Sequence, residues 1–265
     1  METINKNAIL SAHNISIQFS ALKAVSDFNL EIYPGDLVGL IGPNGAGKTT
    51  VFNVLTGVYP ASSGEYHFDG NLVKNSSTSK LVTQGLARTF QNIRLFKYLS
   101  VLDNVMVAHN FSMKYGIFSG MLRLPSYWKE EKEIRKESMD LLKIFHLDKF
   151  ANQSAGNLPY GEQRKLEIAR AMATNPKLLL LDEPAAGMNP TETEELMKTI
   201  KFIRDTFGIA ILLIEHDMKL VLGICEKLVV LDHGTIIASG NPQEVIKNPQ
   251  VVTAYLGQDN TEEEE

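Results

Sequence analysis

The chain has 265 residues, 44% of them apolar and 22% charged, which is enough to bury one large core or two modest lobes. Its formal net charge is −5, but the terminal "TEEEE" (261–265) supplies four of those negatives, so the body is near neutral and broad electrostatic binding to nucleic acid or anionic lipid is not indicated. One cysteine, Cys225, excludes an intramolecular disulfide and fits a reducing compartment; no apolar signal core follows Met1, and the longest apolar run, "IAILLI" (209–214), suits a buried strand, so the expectation is a cytoplasmic protein that does not span a membrane.

Ile15, Ile17 and Phe19 share one face, as do Phe28, Leu30 and Ile32, which predicts two half-buried antiparallel strands. "DLVGLIG" (36–42) then reads as a strand covered on both faces, because its apolar run is unbroken. "EYHFDGN" (65–71) alternates and ends in a hairpin turn at Asp69-Gly70. From about Ser100 to Thr174 the pattern is helical. Ile134, Ser138, Leu141, Leu142 and Phe145 form a 3.6-residue stripe, with "KEEKEIRKE" (129–137) as its wet face. "SMKYGIFSGMLRLPSYW" (112–128) has no clean period and reads as an ordered excursion. "KLLLLDEP", "GIAILLIEH" and "KLVVLDHGTIIASG" bring buried strands back. Between the first two, Thr191 with Glu194 three residues on predicts a capping box at a helix start. Alternating buried strands and helices argue an α/β core with a largely parallel sheet. The expected organisation is one domain over 8–256, with its core in about 8–91 and 166–245, a helical insertion in about 92–165, and a solvated acidic tail in 257–265.

Chemistry concentrates in four places. "GPNGAGKTT" (42–50) matches the P-loop pattern G-x-x-x-x-G-K-[ST], between a buried strand and an apolar helix. Gly42, Pro43, Asn44, Gly45, Ala46, Gly47 and Thr50 would supply a backbone cradle for phosphates. Lys48 adds a cation for the β/γ-phosphates, Thr49 a hydroxyl for Mg²⁺, and the helix N-terminus roughly half a positive charge. In "LLLLDEP" (178–184), Asp182 ends a strand where a parallel sheet presents ligands and would hold Mg²⁺; Glu183 would orient and deprotonate the attacking water. Gln91, closing a short strand in "RTFQNIRLF" (88–96), would touch Mg²⁺ or that water. His216 ends the next core strand in "LLIEHDM", beside Asp182 and Glu183 and within reach of a γ-phosphate. The other histidines (His13, His67, His109, His146, His233) have no metal-ligand spacing.

The order of P-loop, Gln91, "LPYGEQ" (158–163), "LLLLDEP", "AAGMN" and "IEHD" resembles the ATP-binding-cassette (ABC) transporter ATPases, over about residues 8–256. The resemblance implies a RecA-like P-loop NTPase core, an N-terminal antiparallel β subdomain and an inserted α-helical subdomain. It also implies that "LPYGEQ" opens a helix of that subdomain and closes over ATP held by a second subunit, through Tyr160, Gly161 and Glu162. Pro159 stands where the family carries serine, and Tyr160 and Glu162 replace its first glycine and its glutamine, so the expectation is a working signature without a hydroxyl. Proline suits a first helical position, where its missing N–H needs no partner. Phe19 lies where the family places an aromatic that stacks on adenine, although it also reads as a core-facing strand residue. Asn189 stands where many members carry an aspartate that bridges the two subunits.

Within the family, "YGIFSGMLRLPSYW", "LDEPAAGMNPTETEEL", "LLIEHDMKLVLGI" and "NPQVVTAYLG" resemble the larger of the paired ATPases of branched-chain amino acid importers. That implies ATP and Mg²⁺ as cofactors, integral membrane permease subunits, a second ATPase subunit (the same chain or a paralogue), indirectly a solute-binding protein, and no nucleic acid. The chain would then sit peripherally on the inner face of the membrane. Two other readings stay open here: a catalytically weak regulatory module, for which Pro159 speaks, and the ATPase of a lipid or lipopolysaccharide exporter. A cassette ATPase of DNA repair or translation would bring a long coiled coil or two fused cassettes, and this chain has neither.

Overall fold

The structure is a computed structural model that describes residues 8–74, 76–109 and 125–259. Two sheets organise it. The first is antiparallel, in order β2-β1-β4-β5, from β1 (Leu10–Phe19), β2 (Leu22–Ile32), β4 (Ser63–Phe68) and β5 (Asn71–Val73). The expected β1–β2 pair forms, with Leu10 opposite Ile32 and Ile15 opposite Phe28. Asp69 and Gly70 make the β4–β5 turn with φ of 49° and 73°, the left-handed pair that a two-residue hairpin requires.

The second sheet has six strands in order β10-β9-β3-β8-β7-β6: β3 (Leu37–Ile41), β6 (Leu86–Arg88), β7 (Leu178–Asp182), β8 (Ala210–Ile214), β9 (Lys227–Asp232) and β10 (Thr235–Gly240). All its pairings are parallel except β9 with β10. Strand periodicity assigns alternate residues to opposite faces. Leu37, Ile41, Leu179, Leu181, Ile211 and Leu213 pack under the helices, while Val38, Leu40, Leu178, Leu180 and Leu212 face the antiparallel sheet and Phe52. That two-sided burial explains why these strands read as unbroken apolar runs.

The helices are α1 (Lys48–Leu55), α2 (Thr78–Gln84), α3 (Val101–Ala108), α4 (Pro125–Ile144), α5 (Tyr160–Met172), α6 (Pro190–Phe207), α7 (Met218–Ile224), α8 (Pro242–Val245) and α9 (Pro249–Asp259). The α4 stripe is buried as its spacing predicts, from Ile134 through Phe145. Among the described residues no helix is long and apolar enough to cross a membrane.

Several local expectations need correction. "KLVVLDHGTIIASG" is a hairpin, β9 and β10, turning at His233-Gly234 with φ of 42° and 77°. The capping box of α6 is Asn189 with Glu192: Asn189 Oδ1 accepts from the Thr191 and Glu192 N–H groups, and Glu192 accepts from the Asn189 N–H. Pro190 opens that helix sterically, which moves the start upstream of Thr191. Pro159 is the residue before α5, in extended conformation, and not its first helical position. Helix α9 runs to Asp259, so 257–259 belong to it; the remaining tail, and 112–124 of the excursion, lie outside the described residues.

Candidate functional site

β3 leaves the sheet between two parallel neighbours, β8 and β9, and its last turn must tighten at once. Gly42 has φ 149°, and a Cβ there would collide with the Leu231 carbonyl. Gly47, at φ 103°, caps α1 and lies so close to Ala24 that a Cβ would sit 2.8 Å from its carbonyl oxygen. These two glycines are steric requirements of the loop. The consequence is that α1 starts with Lys48 and Thr49, aiming unpaired N–H groups out of the sheet edge. Lys48 is buried and its Nζ donates to the carbonyls of Gly42 (2.6 Å) and Pro43 (2.8 Å). Burial lowers its pKa, and the carboxylates of Glu183 and Asp182 pull in the opposite direction. Asn44, Gly45 and Thr49 are exposed, Ala46 is buried, and Thr50 is half-buried.

The strand order explains the rest of the site. β3, β8, β7 and β6 are consecutive and parallel, so their C-terminal ends form one edge, where open α/β sheets bind ligands. The P-loop follows β3, His216 follows β8, Asp182 ends β7 and Gln91 follows β6. Gln91 lies three residues beyond β6 and does not close it. There Gln91 Nε2 donates to Glu183 Oε2 at 2.8 Å, and His216 Nε2 lies 3.1 Å from Glu183 Oε1. Glu183 itself has φ 47°, an uncommon conformation for a side chain of its size, and its N–H donates to the Ile214 carbonyl at 2.9 Å. The expected trio is thus gathered around Glu183, which contacts both Gln91 and His216, beside buried Asp182.

Three residues that sequence reasoning passed over hold this cluster. Glu215 is buried; its Oε1 accepts from the Ala185 N–H (2.8 Å) and its Oε2 from the His216 N–H (3.0 Å), tying the loop after Glu183 to the loop carrying His216. Burial raises its pKa, against the lowering effect of these amides. Arg164, fully buried on α5, donates to the carbonyls of Phe90 (2.7 Å) and Gln91 (2.6 Å) and to Glu167 (2.9 Å), clasping the Gln91 loop to the helix that "LPYGEQ" opens. Arg88 pairs with Asp182 at 2.8 Å. The available signals were a carboxylate closing the apolar run "ILLIEHD" and an arginine three residues before Gln91.

Tyr160, Gly161 and Glu162 form the first turn of α5. Within the chain, Gly161 lies against the Glu192 carboxylate and the Tyr160 ring against Gly187. Phe19 is not a core residue. Register shifts after Ile15 and Ile17 break the phase it shared with them, and it stands exposed, edge-on to Tyr59 at 5.5 Å. The donor set around Lys48 fits a nucleotide with a hard cation: the Thr49 hydroxyl, the Asp182 carboxylate and the Gln91 amide all offer oxygen, as Mg²⁺ prefers. Arg88 occupies Asp182 Oδ2 and leaves Oδ1.

This combination of a glycine-shaped phosphate loop and a carboxylate braced by an amide and an imidazole, on one edge of a parallel sheet, defines a P-loop nucleotide triphosphatase. The family model described as ABC transporter matches residues 25–186, and one described as branched-chain amino acid ATP-binding cassette transporter matches 235–260. The chain belongs to the ABC transporter ATPase family; it binds ATP and hydrolyses it. It is 45% identical over 250 residues (94% of this chain, 98% of the relative) to the high-affinity branched-chain amino acid transport ATP-binding protein LivG of Escherichia coli K12. The lipopolysaccharide export system ATP-binding protein LptB of the same organism is 32% identical over 252 residues, covering 95% and 98%. Among solved structures, the ADP conformation of MJ1267, an ATP-binding cassette of an ABC transporter, superposes with a TM-score of 0.81 at 32% identity, covering 94% of this chain and 99% of that one.

Proposed function

We propose that this chain is the ATPase subunit of a branched-chain amino acid importer and works on the inner face of the membrane through separate permease subunits. The observation that carries the transport reading is likeness along nearly the whole chain to a transport ATP-binding protein of that class, including the C-terminal match at 235–260. The lower identity to the export protein argues against the exporter alternative. The intact Gln91–Glu183–His216 cluster argues against an idle regulatory module.

In this reading Phe19, with Tyr59, offers a face for adenine, and the cradle from Gly42 to Thr50 holds the phosphates. Glu183 accepts the proton of the attacking water, while Gln91 and His216 fix its two oxygens. Thr49, Asp182 and Gln91 would hold Mg²⁺, which when bound neutralises phosphate charge. Tyr160, Gly161 and Glu162 would complete the site of a second ATPase subunit, because the free N–H groups of the α5 start suit a γ-phosphate. The permease would dock in the groove of about 690 Å³ lined by Phe90, Arg94, Leu95 and Phe96. Arg164 links the Gln91 loop beside that groove to the helix α5, so a push from the membrane would reach both this chain's own site and the turn that completes its partner's.

The test is reconstitution of the co-purified complex in vesicles with its solute-binding protein. ATP hydrolysis and uptake of labelled leucine, isoleucine or valine should rise together. Hydrolysis stimulated by a different solute class, with none by these three, would overturn the substrate assignment.

A further inference from the structure

We propose that Arg88 is a positioning residue that serves as the built-in counter-cation of Asp182 and thereby sets how strongly the site draws a divalent cation. This rests on the reading above that Asp182 is a metal ligand. The pair is buried, with side-chain exposures of 8% and 5%, and Arg88 Nη2 donates to Asp182 Oδ2 at 2.8 Å across 94 residues of sequence. The guanidinium is held from several sides. Its Nη1 donates to Asn53 Oδ1 (2.7 Å) and Thr56 Oγ1 (3.3 Å), both on or just after α1, the helix that the P-loop opens. The rings of Phe52 and Phe90 lie 5.4 and 5.2 Å from it. A cation held from these sides lacks the freedom of a surface lysine and stays beside Asp182 as long as this wall of the groove keeps its place.

Two consequences follow. Arg88 orients the carboxylate through one oxygen, so the other is presented to a metal in a constant direction. It also offsets the charge that attracts the metal, because two cations near one carboxylate repel each other. The first effect prepares the site; the second keeps its affinity for a divalent ion moderate. Arg88 and Phe90 also line the groove beside Gln91, so displacement of that wall would alter the charge balance at Asp182 directly.

The measurement is the thermal midpoint of the full chain at a fixed ADP concentration while Mg²⁺ is titrated, which yields the Mg²⁺ concentration for half-maximal stabilisation without turnover. Arg88→Met should lower the nucleotide-free midpoint, because Asp182 loses its partner, and should also lower the required Mg²⁺ by at least about threefold. Arg88→Lys, which keeps the charge without the fork, should need Mg²⁺ within about twofold of wild type. A merely structural arginine would lower the midpoint and leave the Mg²⁺ requirement unchanged; that outcome, or a higher requirement in Arg88→Met, overturns the proposal. Should Arg88→Met fail to accumulate as folded protein, Arg88→Gln removes the charge but keeps a donor toward Asp182, and is judged by the same threshold. Asp182→Asn separates the two levels: if it leaves the Mg²⁺ requirement unchanged, the metal-ligand reading itself fails, whereas a shift there with none in Arg88→Met sinks only the role of Arg88.

Discussion

Replacing Pro159 with serine tests whether "LPYGEQ" is half of a nucleotide site. Pro159 sits at the cap position of α5 with φ −53° and ψ 154°, and makes no side-chain cap hydrogen bond. Serine adopts that conformation readily, and its hydroxyl would accept from the N–H of Gly161 or Glu162, a gain of about 0.5–2 kcal/mol. Loss of the proline ring frees the unfolded chain, at a cost of about 0.4–1 kcal/mol. The two partly cancel, leaving a change between about −0.5 and about +1.6 kcal/mol, so the midpoint should move by no more than about 6 °C. Stability therefore does not confound activity. In the paired site the same hydroxyl would face a γ-phosphate, where a charge-assisted hydrogen bond contributes about 1.5–3 kcal/mol. The hydroxyl donates its proton to the phosphate while its oxygen still accepts from the capping amide, so the two bonds coexist. At most, the gain of about 1.5–3 kcal/mol corresponds to roughly a 10- to 150-fold rise in kcat/KM for ATP. The assay is steady-state hydrolysis by the assembled complex, with Gly161→Asp as the opposing variant. An aspartate there brings a charge against both the phosphate and Glu192, whose Oε1 is 2.8 Å from the site of the added Cβ. If Pro159→Ser gives an inactive complex while Gly161→Asp hydrolyses ATP normally, the stretch is only a helix start and the paired-site mechanism is wrong.

Lys48→Ala should weaken ATP binding by at least about 2 kcal/mol in calorimetry, since it removes the cation of the cradle; undiminished affinity would sink the P-loop assignment. Glu183→Gln should retain ATP but lose about 10²- to 10⁴-fold in turnover, and should accumulate as an ATP-bound dimer on size-exclusion chromatography; wild-type turnover would mean that another group is the base. Glu215→Gln places an amide donor against backbone N–H groups and should destabilise the chain by about 1–3 kcal/mol in urea unfolding. Its pH dependence has a definite sign. The folded pKa of Glu215 lies above its ordinary value of 4.5, so its contribution is full below that value and is lost as pH rises through the raised one. The gap between wild type and Glu215→Gln should therefore be widest below pH 4.5 and narrow as pH rises above it, and a gap that widens with pH would contradict the assigned shift.

What the sequence disclosed divides by the range of the interaction responsible. β3, β7 and β8 were legible because burial on both faces leaves an unbroken apolar run, and the P-loop because its glycines answer to local sterics. Gln91, Glu183 and His216 could be grouped in advance for a related reason: in a parallel sheet the residues following neighbouring strands meet at one edge, whatever lies between them in sequence. Expectations failed where a local rule met a competitor of similar strength. Thr191 and Glu194 satisfy the spacing of a capping box, but so do Asn189 and Glu192, and Pro190 at the first helical position selects the earlier pair. Phe19 kept its alternation on paper, yet shifts in register with β2 turn it outward. His233-Gly234 divides an apolar stretch that reads equally well as one strand.

Glu215, Arg164 and Arg88 were hidden for a different reason: apart from the ordinary i,i+3 pair of Arg164 with Glu167, each acts on atoms that are distant in sequence or belong to the backbone, and such partners leave no pattern around them. Arg164 meets Phe90 and Gln91 at separations of 74 and 73 residues. Glu215 meets Ala185 at a separation of 30. Their placement explains how Glu183 can persist at φ 47°: the Ile214 carbonyl holds its N–H, and Glu215 fixes the Ala185 amide two residues on. The residues that would touch ATP are thus visible in the sequence, while those that hold them in place emerge only from the fold. A substitution at Glu215 or Arg164 should accordingly affect the orientation of the Glu183 cluster more than the affinity for nucleotide, because neither side chain borders the phosphate cradle.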